Sequence, residues 1–75
     1  MNKQLANLNE VLNITELARQ ARREPKSVRD WVARNYERLP EQERPFFARR
    51  LGGNAGWLVN LHHPLIEHYI SEQSR

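Results

Sequence analysis

The 75-residue sequence predicts a mainly α fold with one small β-hairpin, and three observations carry that prediction. Apolar residues recur at helical spacing in two neighbouring stretches: Leu17, Ala18 and Ala21, then Val28, Trp31 and Val32. Strand-favouring Phe46, Phe47, Leu51, Trp57, Leu58, Val59 and Leu61 flank the run Gly52-Gly53-Asn54-Ala55-Gly56. A further helical stripe, Leu65, Ile66, Tyr69 and Ile70, follows the hairpin.

The first two stripes organise the chain. They lie in residues 13–35, NITELARQARREPKSVRDWVARN. The first helix opens with a start signal, since Asn13 can cap and Glu16 three residues later can bond back to it. The second opens at Glu24-Pro25, where proline's missing N–H costs nothing. Arg22 and Arg23 between them leave almost no room for a loop. Two short helices joined so tightly share a small core and form a helix-turn-helix.

Residues 1–12 carry Leu5, Leu8, Val11 and Leu12. That stripe suits a leading helix or turn over the core, with a dimer contact as the alternative. Residues 36–45, YERLPEQERP, form a polar connector: Leu39 docks on the core and residues 40–43 make one helical turn. The hairpin is expected over residues 46–61. Its glycines tolerate positive φ, and Arg49 and Arg50 lead into its tip. No strand–loop–helix unit surrounds them and no GxxxxGK[ST] pattern is present, which argues against a nucleotide loop. A wing touching DNA and an ordinary hairpin closing the core both remain open. The closing helix is expected over residues 63–71, with Pro64 in its first turn and its apolar side packed on the hairpin.

Charge narrows the function. The formal net charge is +3 and the isoelectric point about 10.0. Residues 19–50 hold ten bases against five acids, a net of +5, and nine of those bases are arginine. The remainder holds two bases against four acids, a net of −2. Arginine is the residue suited to bidentate phosphate and guanine contacts. A charge run is generally a solvated face, but here it coincides with a candidate recognition helix, which favours double-stranded DNA as partner.

With Val28, Trp31 and Val32 inward, the second helix presents Lys26, Arg29, Asp30, Ala33 and Arg34 outward. Lys26 and Arg29, near its N-terminus, are the foremost candidates for base contacts in a major groove. Ser27 sits at the boundary, to pack or to contact a phosphate. Asp30 can accept from a cytosine amino group, although pairing with a neighbouring arginine is the preferred reading. Arg19, Arg22 and Arg23 are candidate phosphate contacts, which position a protein without reading sequence. Solubility is an equal alternative for Arg19. Arg49, Arg50 and Asn54 are the candidate wing contacts.

Other chemistries find little support. There is no cysteine, hence no disulfide framework and no thiolate metal site. His62, His63 and His68 lack the spacing for zinc and read as surface or capping residues. No cofactor is expected, and no paired carboxylates or nucleophile–base pair suggests an enzyme. No apolar run reaches membrane-spanning length and no signal peptide opens the chain, so a cytoplasmic protein without a membrane partner is expected.

The stretch ITELARQARREPKSVRDWV resembles the winged helix-turn-helix of MerR-like domains in phage excisionases. Ile14, Glu16, Leu17, Ala18, Ser27, Val28 and Trp31 carry the match. Gly56-Trp57-Leu58-Val59 followed by Pro64-Leu65-Ile66 is similar to the hairpin and short helix of those domains, and the resemblance spans residues 12–70. One departure stands out: Arg22 and Arg23 occupy the turn where those domains carry glycine and a small apolar residue. The resemblance implies a Cox-like recombination directionality factor of a temperate phage or mobile element, working on DNA in a bacterial host. Such proteins bind repeated sites side by side, bend DNA, help an integrase run excision, and often repress a promoter. The alternatives are a plain transcriptional regulator of the same fold, a packaging adaptor, and a protein-binding module or inhibitor.

Overall fold

The computed structural model describes residues 11–52 and 56–73. Strand β1 (Val11–Asn13) leads into helix α1 (Ile14–Ala21) and helix α2 (Pro25–Arg38). A 3₁₀ turn at Glu41–Glu43 precedes a one-turn helix α3 (Arg44–Phe47), then strands β2 (Ala48–Arg50) and β3 (Trp57–Asn60) and helix α4 (Pro64–Gln73). The fold is mainly helical with a small antiparallel sheet, a winged helix-turn-helix arrangement. No described helix is long and apolar enough to cross a membrane.

Helix α1 forms where its cap predicts. The Glu16 amide donates to Asn13 Oδ1 at 2.8 Å. The reciprocal half of the expected box is replaced, because the Glu16 carboxylate turns to Arg19 at 3.2 Å. Leu17, Ala18 and Ala21 are buried against Val28 and Val32 of α2 in one core cluster. Each buried valine stabilises the fold by roughly 1.5–3 kcal/mol through lost apolar surface. Among the described residues no polar or charged side chain is buried.

Helix α2 runs three residues beyond the expected Asn35. Tyr36, assigned to the connector, packs its ring 5.1 Å from the Trp57 indole. The end is closed from outside: Arg44 donates from Nε to the Leu39 carbonyl and from a terminal nitrogen to the Glu37 carbonyl, both at 3.1 Å. Leu39 adopts extended backbone before Pro40, as the proline ring requires, and half-buries against the core.

The sheet has the order β1-β3-β2, both pairs antiparallel. Two expectations change here. The spacing of Val11 and Leu12 suggests a leading helical stripe, but both lie in β1, where Leu12 pairs with Val59 and packs against the core. Leu5 and Leu8 lie outside the described residues. Phe46 and Phe47, expected to be strand, form the turn of α3, with Pro45 in its first turn. Phe47 is fully buried there, so tertiary packing overrides its strand preference. Gly56 takes φ +91 before β3, as the glycine run requires.

Helix α4 packs chiefly on α1 rather than on the hairpin alone, with Ile66 fully buried in the same core cluster as Trp57 and Val59. Its start follows from His63, whose Nδ1 accepts the Leu65 amide at 3.1 Å. Tyr69 stacks on Trp31 of α2, centroids 3.9 Å apart and planes 18° apart.

Candidate nucleic-acid interface

The turn between α1 and α2 is built on a backbone conformation that suits glycine. Arg22 has φ 59 and ψ 45, the left-handed region. Its amide donates to the Arg19 carbonyl, and the Arg23 amide donates to the Ala18 carbonyl at 3.0 Å. That pair of bonds is a Schellman motif, which satisfies the last carbonyls of α1. Arg22 therefore holds the left-handed conformation that glycine takes at no steric cost. Arg22 and Arg23 are both exposed at this corner, immediately before α2.

Lys26, Ser27, Arg29, Asp30 and Arg34 are all exposed on α2, so the predicted outward set stands on the surface. Ala33 is the exception, since it is half-buried at the edge of the core. At about 100° per residue, the exposed positions divide into three lines along the helix. Lys26, Asp30 and Glu37 run down the middle. Arg29 lies on the side shared with Tyr36, whose ring touches Trp57 in the hairpin. Ser27, Arg34 and Arg38 lie on the side shared with Trp31, whose ring touches Tyr69 in α4. The arginines of α2 therefore stand on two flanks with Lys26 between them, and Arg38 extends one flank. Its spacing of four from Arg34 signals that placement in the sequence. Asp30 has no ion pair with an arginine among the described residues, contrary to the preferred reading.

The two wing arginines point in opposite directions. Arg50 pairs with Trp57 in register, and its guanidinium lies 4.9 Å from the indole centroid. Arg49 pairs with Leu58 on the other face of the sheet. Directly paired residues share a face and successive residues alternate, so one strand cannot aim both guanidiniums at one groove wall. Asn54 lies outside the described residues. Arg19 is exposed and held by Glu16, which makes it a weak phosphate candidate. Arg44 is structural: besides closing α2, its guanidinium sits 5.3 Å from the Tyr36 ring.

Burial pushes the Tyr69 phenol above its ordinary value of 10.0, while the charges of Arg23 and Arg34 act in the opposite direction. Burial holds His63 below its ordinary value of 6.5, with Glu43 opposing more weakly. His63 lies edge-on to Phe47 at 5.2 Å and caps α4. His62 lies 3.8 Å from Glu67, and His68 lies 3.4 Å from Glu72 one turn on. Among the described residues no three His, Cys, Asp or Glu side chains gather as a metal site would require.

The chain matches no protein-family profile, no curated protein and no solved structure.

Proposed function

We propose that this protein binds double-stranded DNA through α2, as an architectural factor of the excisionase type that also covers a promoter. One observation carries the reading: the exposed side of a helix set at the second position of a helix-turn-helix holds Lys26, Arg29 and Arg34, with Arg22 and Arg23 at its start. Lys26 and Arg29, in the first turns of α2, are the base-edge candidates for a major groove. The arginines of the turn and flanks contact phosphates and set the register. The hairpin lies beside α2 through the Tyr36–Trp57 contact, which suits a wing on the flanking backbone or minor groove.

A domain this small buries limited area on DNA, so several copies on repeated sites would supply specificity. Bending follows from binding where added phosphate contacts offset the deformation of the duplex. In this role an integrase is the protein partner, and exclusion of polymerase accounts for repression. A second reading draws on Asp30 and Glu37, whose carboxylates stand exposed between the basic flanks. They would repel phosphates and suit a protein partner bearing both charges.

Two assays test the proposal. Titration of labelled duplexes with the full chain should give binding that weakens steeply with salt. A recombination assay with the cognate integrase should then show excision that depends on the protein. Repression without any effect on excision would leave a plain regulator, and salt-independent binding of a protein would favour the second reading.

A further inference from the structure

Asp30 is an acid in the middle of a basic surface. It is exposed, and it stands on the line of α2 that points straight away from the buried Val28 and Val32. Lys26 and Arg34 lie four residues to either side, a spacing at which opposite charges meet on a helix. Yet among the described residues Asp30 forms no ion pair, whereas Arg19 at a spacing of three is held by Glu16. The carboxylate therefore projects from the centre of the outward face. Arg29 and Arg34 stand on the two flanks, where the phosphate walls of a major groove about 12 Å wide would lie. The midline of the helix is farthest from both walls and faces the base edges.

We infer that Asp30 is a specificity-determining residue, accepting from the N4 amino group of a cytosine on the floor of the major groove. An ionised carboxylate can only accept. Guanine presents only acceptors there, thymine an acceptor and a methyl, and adenine sets its N7 acceptor beside its amino group. Cytosine alone presents a donor with no acceptor next to it. A carboxylate at this place therefore disfavours three bases and admits one. Lys26, Arg29 and Arg34 around it keep the helix attractive to the duplex as a whole. The inference rests on the duplex reading and narrows it, from a basic helix in a groove to a helix that selects a particular base pair.

The test selects a randomised pool of double-stranded oligonucleotides on the full chain, then measures anisotropy on duplexes that differ at one pair. The wild-type chain should prefer cytosine at one position, by about five- to ten-fold over each other base. Asp30→Ala should lose the preference at that position only. Asp30→Asn should move it to adenine, whose N6 and N7 suit an amide. Glu37→Gln removes the same charge two turns further along the same line, and should leave that preference intact. Both acids are exposed, so these substitutions do not open the core. Duplex binding with no cytosine preference, a preference that survives in Asp30→Ala, or one that Glu37→Gln removes equally would each overturn the assignment while leaving duplex binding intact. Absence of duplex binding by the wild-type chain would overturn both.

Discussion

Trp31 and Tyr69 stack face to face, 3.9 Å between ring centroids, and so join the second helix of the helix-turn-helix to the closing helix. Phe47 completes the cluster, its ring 6.1 Å from that of Trp31. The indole is only half-buried, so its removal costs less than that of a fully enclosed tryptophan. Trp31→Ala should destabilise the fold by about 2–3 kcal/mol. In a domain of this size that lowers the melting temperature by roughly 10–20 °C. Circular dichroism melts check this, and unchanged melting would mean that the stack contributes nothing.

Arg22 sits at φ 59, where a side chain is strained and glycine is not. Arg22→Gly should therefore raise stability by up to about 1 kcal/mol, the gain at the turn being partly offset by the freer unfolded chain. Arg22→Val should lower it by more than about 1 kcal/mol, since a β-branched residue tolerates that conformation poorly. Equal melting temperatures for the two variants would contradict the turn geometry.

His63 makes stability depend on pH. Its folded pKa is depressed below the ordinary 6.5, so the unfolded chain binds the proton more readily. The stabilising contribution is then present above pH 6.5 and is lost as pH falls through the depressed value. Protonation also removes the Nδ1 lone pair that accepts the Leu65 amide. His63→Asn keeps a capping acceptor without the titration. It should flatten the fall in melting temperature between neutral pH and pH 5; an identical fall in both proteins would assign it to other groups.

The wing arginines separate by experiment. Arg50→Ala should cost about 0.5–1 kcal/mol of stability, because its cation covers Trp57. Arg49→Ala should leave melting unchanged, since its side chain is exposed on the opposite face of the sheet. The variant that also lowers the salt slope on DNA identifies which face of the hairpin meets the duplex.

Much of this fold is legible in the sequence, for local reasons. Asn13, Leu17, Ala18 and Ala21 specify α1 within one nine-residue span, and Pro25 with Val28 and Val32 starts α2. The exposed positions of α2 follow from the same period. What escapes the sequence depends on distant partners. Strand β1 is three residues long, too short for its alternation to show, and exists because Trp57–Asn60 offers it a ladder. The end of α2 is set by Arg44, which reaches back to Glu37 and Leu39. Phe46 and Phe47 favour strand locally, but the fully buried Phe47 fits the core as part of a helical turn. At the interface, the opposed directions of Arg49 and Arg50 require only strand alternation, whereas the stack of Tyr69 on Trp31 requires the tertiary fold.

The exposed basic side of α2 is the central claim, and salt-dependent duplex binding tests it most directly. The logarithm of the association constant should fall linearly with the logarithm of salt concentration. Replacing Lys26, Arg29 and Arg34 together by glutamine should reduce that slope by up to about 2.7 and abolish preference for the specific duplex. A triple variant that binds with the wild-type slope and preference, or a wild-type chain that ignores duplex DNA at low salt, would contradict it.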